Sequence, residues 1–362
     1  MSLFSGNSKS SLGVDIGTTS VKVVELSKSK EGKIKLETYG SLESVAYSQY
    51  LEETLQSSTV KISDQQAAEM IKKLVKEAKV STKRAVMSAP VFSTFTSVIE
   101  LPEMSQQEIE SAIRFEAKQY VPVPLSEVVL GWNVIGKKNY ELLGAGSYSN
   151  KVLVLIVAIP KELSNEFAKI ADLANLDLIA LETESFALIR SLLGNDKSTV
   201  AIVDIGSRAT NISIVSEGFI RVSRGLDTSG VEITKVLARG MGIDIKRANE
   251  IKRKIGLDMD GSNKQVANVI LPIVDIITGE TKRIIDVFSR KEGANFRVER
   301  VILAGGSAGI PKIADRFTEV TGIKTIIGNP WGRIEYPPHL QKTLETIGPS
   351  FSVAVGLAMR NV

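Results

Sequence analysis

The chain has 362 residues, of which 43% are hydrophobic and 24% are charged, with a net charge of +4, one histidine and no cysteine. This length and composition favour a globular protein of two or more domains. Without cysteine there are no disulfides or thiolate metal sites, and one histidine excludes a multi-histidine metal site. Basic and acidic residues are interleaved, so we expect no nucleic-acid partner.

Neither membrane insertion nor secretion is indicated by the sequence. Residues 1–12 lack the apolar core of a signal peptide. The longest purely apolar run, residues 152–159, is far shorter than the roughly 20 residues that a membrane helix needs. We therefore expect a cytoplasmic protein.

The first element with chemical meaning is a short hairpin near the N-terminus. A β-type run ends in Asp15 and Gly17, passes through a polar turn containing Thr18 and Thr19, and leaves through an alternating strand over residues 20–25. Glycine lets backbone N–H groups approach a phosphate closely, and a carboxylate at a strand end can hold magnesium. Further along, the apolar spacing predicts an amphipathic helix over residues 64–79.

Residues 91–177 read as an insertion with elements of its own. A strand-like segment ends at Pro102, and a capping box of Ser105 and Glu108 predicts that a helix begins there. Two strand-like runs, residues 128–134 and 152–159, favour a hairpin, and a second helix is predicted over residues 161–175. This mixture indicates a small α+β subdomain. Residues 131–138 approach a P-loop pattern but lack its final Ser or Thr, so we reject that interpretation.

The tetrapeptide Val-Asp-Ile-Gly occurs twice, at residues 14–17 and again at residues 203–206. The second copy also ends a β-type run, enters a polar turn and leaves through an alternating strand. A single Asp-x-Gly is usually only a turn. Two copies in matching contexts instead predict two hairpins that face each other and clamp a triphosphate from both sides, with Asp15 and Asp204 toward magnesium.

Helical patterns follow at residues 228–256 and 262–291 and predict a small lobe, in which Pro272 should kink or break the second helix. The basic stretch over residues 246–254 is read as a solvated helix face. A final helix is predicted over about residues 350–360.

A third glycine-rich turn follows a strand late in the chain. Residues 300–310 run from an apolar strand into Gly305 and Gly306, and a helix is expected to begin near Pro311. Close-approaching glycines beside a helix N-terminus suit a phosphate or an adenine–ribose edge.

Together, VDIGTTSVK, VDIGSRATNISIV, LAGGSAGIP and SVAVGLAMR resemble the two phosphate motifs, the adenosine motif and a connecting helix of the actin superfamily, which includes sugar kinases, MreB and FtsA. The resemblance implies the duplicated actin/sugar-kinase (ribonuclease-H-like) α/β ATPase fold, with ATP and Mg²⁺ as ligands. Carried over by motif position, the residues that would contact nucleotide or metal are Asp15, Gly17, Thr18, Thr19, Lys22, Asp204, Gly206, Ser207, Thr210, Glu250, Lys252, Gly305, Gly306 and Ser307.

Glu184 falls where chaperone ATPases of this superfamily carry a glutamate, although Glu182 is a second candidate, and it is the one catalytic residue that the resemblance suggests. The helix near Glu250 tends in the family to read Glu-Glu-Ile-Lys, whereas this chain has Asn249 in the first of these positions. One expected carboxylate is therefore missing there.

Within the superfamily, residues 101–132, with VLVLIVAIPKEL and LDLIALETESFALIR, resemble the type IV pilus assembly protein PilM family. The short Leu-Phe-Ser-Gly head at residues 3–6 resembles it too. This likeness implies an FtsA-like inserted subdomain, named 1C, that helps bind the cytosolic N-terminal tail of a PilN-like membrane protein. The last residues carry no amphipathic membrane helix of the FtsA kind, so membrane recruitment would come through partners.

The implied organisation has four parts. Residues 1–90, 178–197 and 346–362 would form subdomain 1A, residues 91–177 subdomain 1C, residues 198–230 and 296–345 subdomain 2A, and residues 231–295 subdomain 2B. The expected function is an ATP-binding adaptor of the pilus inner-membrane assembly complex, with slow or absent hydrolysis and with other assembly proteins as further partners. A small-molecule kinase, a nucleotide-dependent filament and a homo-oligomer remain open alternatives.

Overall fold

The computed structural model describes residues 10–43, 63–141, 148–292 and 296–362. The Leu-Phe-Ser-Gly head predicted at residues 3–6 lies outside the described residues. Among those described, no helix is both long and apolar enough to span a bilayer.

Two five-stranded sheets share one topology. The first has the order β3-β2-β1-β4-β8 and the second has the order β11-β10-β9-β12-β13. Their strands are β1 (Ser10–Ile16), β2 (Ser20–Lys28), β3 (Ile34–Glu43), β4 (Arg84–Ala89), β8 (Asp177–Thr183), β9 (Val200–Ile205), β10 (Thr210–Ser216), β11 (Phe219–Leu226), β12 (Arg300–Ala304) and β13 (Thr325–Ile327). In each sheet the first three strands in the chain are antiparallel, and the last two run parallel to the first. The duplicated actin-like fold predicted from the sequence is therefore confirmed.

Between β4 and β8 the chain forms a third sheet, with the order β5-β7-β6. Its strands are β5 (Phe95–Pro102), β6 (Val128–Glu141) and β7 (Tyr148–Pro160), and helix α2 (Gln106–Glu116) packs on it. Both halves of the predicted capping box form, because Ser105 accepts from the Glu108 backbone while the Glu108 side chain accepts from Ser105. The segment that resembles a P-loop, residues 131–138, lies within strand β6 and therefore does not form a phosphate-binding loop.

Two helices cover one face of the first sheet. Helix α1 (Asp64–Glu77) begins after the N-cap Ser63, as predicted. Helix α3 (Lys161–Leu173) follows the inserted sheet in the chain, but its Phe167 and Ile170 pack with Ile71 of α1 in the core of the first sheet. The inserted segment thus returns to the first half through α3.

The second half carries the helices α5 (Gly230–Met241), α6 (Ile245–Lys254), α7 (Lys264–Glu292) and α8 (Ile313–Thr321). Pro272 lies inside α7, which is continuous from Lys264 to Glu292, so the predicted break of its first turns does not occur. Helix α7 presents a buried apolar stripe to the second sheet, and this packing maintains the helix despite the lost N–H donor.

Helices α4 (Glu184–Leu192) and α9 (Gln341–Ala358) lie between the two halves. Helix α9 begins at Gln341, earlier than the predicted start near residue 350, although it contains Pro349. Its Gly356 meets α4 so closely that a Cβ there would lie 1.9 Å from the Ala187 carbonyl oxygen. The two helices therefore cross at backbone contact.

One apolar cluster joins all three sheets. It contains Ile135 and Leu155 from the inserted sheet, Val215 and Ile220 from the second sheet, and Val86 from the first. Strand β5 of the inserted sheet also contacts β11 of the second. The inserted segment is thus packed against both halves of the fold.

Candidate functional site

The two repeated hairpins have the same local geometry. Asp15 lies opposite Lys22 in the register of β1 and β2, and Asp204 lies opposite Asn211 in the register of β9 and β10. In the first turn the Gly17 N–H donates to the Ser20 carbonyl at 3.0 Å, and in the second the Gly206 N–H donates to the Ala209 carbonyl at 3.1 Å.

The hairpins face each other across one cavity of about 520 Å³. The Thr19 hydroxyl, in the first turn, donates to the Ser207 hydroxyl of the second turn at 3.2 Å. These residues are 188 positions apart in the chain. The volume is in the range of cavities that hold a small-molecule ligand.

The predicted carboxylates both line this cavity. Asp15 accepts from the Ser88 hydroxyl at 3.1 Å and lies 3.8 Å from the Lys22 ammonium. Burial, and then the nearby Asp15 charge, raise the pKa of Asp204 to about 6. Two carboxylates that repel each other at a cavity wall would be stabilised by a cation between them.

Glu184 also lines the cavity, at the first position of helix α4. Its Oε2 accepts from the Val91 backbone N–H at 3.2 Å. Burial raises its pKa to about 8, with further contributions from the charges of Asp204 and Asp15. Its carboxyl is therefore mostly protonated at neutral pH in the absence of a cation.

The alternative candidate, Glu182, lies elsewhere. It is buried and accepts from Arg190 at 2.7 and 3.0 Å, and it also accepts from Arg360. A carboxylate held by two guanidiniums has a structural role, so Glu184 is the glutamate that this fold places at the cavity.

The third glycine-rich turn closes another side of the cavity. Gly305 has a φ of +87°, and a Cβ there would lie 2.4 Å from Asp204 Oδ1. Its N–H donates to the Pro349 carbonyl in α9 at 2.9 Å. A Cβ on Gly230, at the start of α5, would lie 2.0 Å from the Ser307 hydroxyl. Only glycine allows this approach of backbone to the carboxylate and hydroxyl.

Helix α6 contributes Lys252, which is buried rather than solvated as the basic stretch had suggested. Its ammonium donates to the Gly230 carbonyl at 2.9 Å and to the Thr234 hydroxyl at 2.7 Å. Burial, and then the Arg253 charge, lower the pKa of Lys252 to about 7. A bound phosphate would favour its charged form.

Glu250 is the one predicted contact that the structure does not bring to the cavity. It lies on the outer face of α6, where it accepts from Arg247 at 3.1 Å. The helical period explains this, since Asn249, Lys252 and Arg253 of α6 face the cavity while Glu250 points away. All the other predicted contacts line it: Asp15, Gly17, Thr18, Thr19, Lys22, Asp204, Gly206, Ser207, Thr210, Lys252, Gly305, Gly306 and Ser307.

Several lining residues were not predicted. Arg208 belongs to the second repeat and could have been noticed there. Asn249 was noted only as a departure from the family motif. The remaining residues carried no local signal, because distant elements bring them to the cavity: Phe92, Thr346 and Ser350.

The donor set fits a magnesium–nucleotide complex better than a metal alone. Within the described ranges, no group of three or more His, Cys, Asp or Glu side chains could hold a metal ion. Asp15 and Asp204 could provide carboxylate oxygens, and phosphate and water would supply the remaining ligands, as magnesium usually requires. The turns of Gly17 and Gly206 could provide backbone and hydroxyl donors to phosphates.

A family model described as type IV pilus assembly protein PilM matches residues 13–362. The chain belongs to the PilM family. The family predicted from the sequence is thereby confirmed.

The solved structures agree with this membership. A chain of the PilM–PilN type IV pilus biogenesis complex is 25% identical, with a TM-score of 0.77, and the match covers 97% of this chain and 98% of that one. The ethanolamine utilization protein EutJ from Carboxydothermus hydrogenoformans is 16% identical, with a TM-score of 0.56 and coverage of 97% and 89%. The similarity to EutJ shows only that the two proteins share a fold.

Cell division protein FtsA is also similar to part of this chain. FtsA of Bacillus subtilis is 20% identical over 257 residues, which is 63% of this chain and 58% of FtsA. FtsA of Agrobacterium fabrum is 26% identical over 178 residues, or 43% of this chain and 39% of FtsA. The chain thus spans about two-fifths to three-fifths of the curated relatives it matches.

Proposed function

We propose that this PilM family member is a nucleotide-responsive adaptor of type IV pilus assembly. It would bind Mg-ATP in the cavity between the two repeated hairpins. Its inserted subdomain, residues 91–177, would hold the cytosolic N-terminal tail of a PilN-like membrane protein. This tail would keep the protein, otherwise cytoplasmic, at the inner membrane beside the other assembly proteins.

The pairing of two equivalent hairpins across one cavity is the observation that carries the nucleotide proposal. Each hairpin directs a carboxylate, a tight glycine turn and hydroxyl donors at the same space. Asp15 and Asp204 would hold the magnesium, and Thr18, Thr19 and Thr210 would contact phosphate oxygens. Magnesium would neutralise the phosphate charge and bridge it to both halves of the fold.

Exposed apolar side chains in the inserted subdomain support the tail proposal. Phe115 is 67% exposed at the end of helix α2, Val129 is 52% exposed on β6, and Tyr120 is 45% exposed between them in the chain. Contiguous patches of such residues are typical of partner-binding surfaces, and these three are the candidates for one. The solved complex that contains a chain 25% identical to this one is a complex with PilN, which supports a PilN-like partner here.

Slow hydrolysis is part of the proposal. Glu184 would orient or activate a water, but burial raises the pKa of its carboxyl to about 8 in the nucleotide-free protein, which disfavours the ionised form that a general base needs. A protonated carboxyl cannot accept a proton from water. We therefore assign the bound nucleotide a conformational role, in which a ligand that touches both halves favours the closed cleft.

The test is a titration with a fluorescent peptide that copies the N-terminal tail of the host's PilN, with and without Mg-ATP. Wild-type protein should bind the peptide, and Mg-ATP should change the affinity. Asp15→Ala should bind the peptide with no response to Mg-ATP. The matched control is Asp286→Ala, at an exposed position on helix α7 outside both the cavity and the inserted subdomain. Phe115→Ser should lose the peptide and keep Mg-ATP.

The outcomes separate the two halves of the proposal. Mg-ATP binding without peptide binding would contradict the adaptor function and favour the kinase or filament alternatives. Peptide binding without nucleotide binding in the wild type would contradict the proposed Mg-ATP binding and leave the proposed partner binding intact.

A further inference from the structure

Arg208 lies at the tip of the second hairpin and faces the cavity, but no hydrogen bond or ion pair to its guanidinium occurs within the described parts of the chain. Instead, its Cζ lies 4.7 Å from the centre of the Phe92 ring. This is a cation–π distance. The contact joins the second half of the fold to the start of the inserted segment.

Phe92 occupies an unusual position for a large apolar residue. It belongs to the short 3₁₀ turn Val91–Ser93 between β4 of the first sheet and β5 of the inserted sheet. Its side chain is 54% exposed and lines the cavity. Burial in a core therefore does not explain its place, whereas its ring is available to a cation in the cavity.

The same turn is attached to the opposite cavity wall. The Val91 N–H donates to Glu184 at the start of α4. The turn is thus held by Glu184 on one side and by Arg208 on the other. Strand β5, which the turn leads into, contacts β11 of the second sheet.

A guanidinium beside a phosphate-binding turn binds a phosphate group more strongly than it binds an aromatic ring. Its planar N–H groups can donate two parallel bonds to phosphate oxygens, and a charge-assisted bond of this kind exceeds a solvent-exposed cation–π contact. Arg208 directly follows Ser207, one of the proposed nucleotide contacts. A phosphate chain in the cavity would therefore compete with Phe92 for the guanidinium.

We propose that Arg208 is a phosphate-binding residue that exchanges between the nucleotide and the Phe92 ring, so that nucleotide binding releases the turn at which the inserted subdomain begins. The inference rests on the proposed binding of Mg-ATP in the cavity. It assigns Arg208 to the nucleotide site and links nucleotide binding to the turn that leads into the partner-binding subdomain.

The test compares the full chain with Arg208→Gln, Phe92→Leu and the double variant. Affinity for Mg-ATP is measured with a fluorescent ATP analogue, and adenosine serves as the probe without phosphates. Arg239→Gln, an exposed arginine on α5 outside the cavity, is the matched control. Arg208→Lys retains a charge without the planar fork, and thermal unfolding verifies that each variant is folded.

Arg208→Gln should weaken Mg-ATP binding by about 10-fold or more and leave adenosine binding unchanged. Arg208→Lys should fall between this variant and the wild type. Phe92→Leu should tighten Mg-ATP binding by about 2- to 5-fold, because the competing contact is gone. In the double variant the Phe92 substitution should have no effect, because its action passes through Arg208.

Two results would overturn the inference while leaving the proposed function intact. One is Mg-ATP binding by Arg208→Gln as tight as that of Arg239→Gln. The other is a Phe92→Leu effect of the same size with and without Arg208. Loss of Mg-ATP binding in the wild type would instead contradict the proposed function, and this inference with it.

Discussion

Replacement of Glu184 by glutamine should stabilise the protein, and the gain should grow as the pH rises from 6 to 8. The folded-state pKa of Glu184, about 8, lies above the ordinary value of 4.5. The folded protein therefore retains a proton that the unfolded chain releases, and stability falls as pH rises between these two values. Glutamine is nearly isosteric, carries no charge, and can still accept the Val91 N–H.

The size of the effect follows from proton linkage. One pKa unit corresponds to about 1.4 kcal/mol, so the wild type should lose roughly 2 kcal/mol relative to Glu184→Gln between pH 6 and pH 8. The rise in the Asp204 pKa, to about 6, acts mainly below this range and is common to both proteins. The difference between the proteins therefore isolates Glu184.

The assay is urea unfolding at several pH values, with EDTA present and no nucleotide. Glu182→Gln is the matched control, because it removes a carboxylate that is held by Arg190 and Arg360. It should destabilise the protein at every pH in the range. Parallel stability curves for the wild type and Glu184→Gln between pH 6 and pH 8 would refute the reasoning.

Three further predictions concern packing and the cavity. Gly356→Ala should lower the free energy of unfolding, measured in urea, by roughly 3 kcal/mol or more, because its Cβ would overlap Ala187. Gly279→Ala in α7, which has open space around it, should raise that free energy by about 0.5–1 kcal/mol. Equal effects of the two substitutions would contradict the close crossing of α4 and α9. Gly305→Ala should abolish Mg-ATP binding in a fluorescence titration, since its Cβ would strike Asp204; retained affinity would exclude this turn from the site. Mg-ATP affinity should fall by about tenfold per pH unit below pH 6, because magnesium binds the ionised carboxylate of Asp204; a pH-independent wild-type affinity would contradict its role as a ligand.

The sequence by itself determined the elements that local rules govern. The strand, Asp-x-Gly, turn and strand pattern is readable at both copies because alternation and turn chemistry act over a few residues. The same holds for the capping box at Ser105 and the start of helix α1. The repetition predicted two facing hairpins, and the resemblance to the actin superfamily then implied the duplicated fold.

Only the tertiary structure decided which side chains meet in the cavity. Glu184 faces it while Glu182 is held by two arginines, and Glu250 points outward while Lys252 is buried. The helical period separates Glu250 from Lys252, but it does not say which face of the helix turns toward the cavity, because that depends on how each helix packs against distant elements. The raised pKa of Glu184 likewise arises from burial and from carboxylates of other strands.

The contact between Arg208 and Phe92 is the clearest example, because it joins a hairpin of the second half to the turn at the start of the inserted segment. Each residue looks ordinary in its own segment. The start of α9 at Gln341 also depended on packing, since Pro349 disfavours a helix locally while burial between the two halves stabilises it. Local sequence thus specifies where helices and strands form. Long-range packing determines which of their side chains reach the cavity and how the pKa values of those side chains shift.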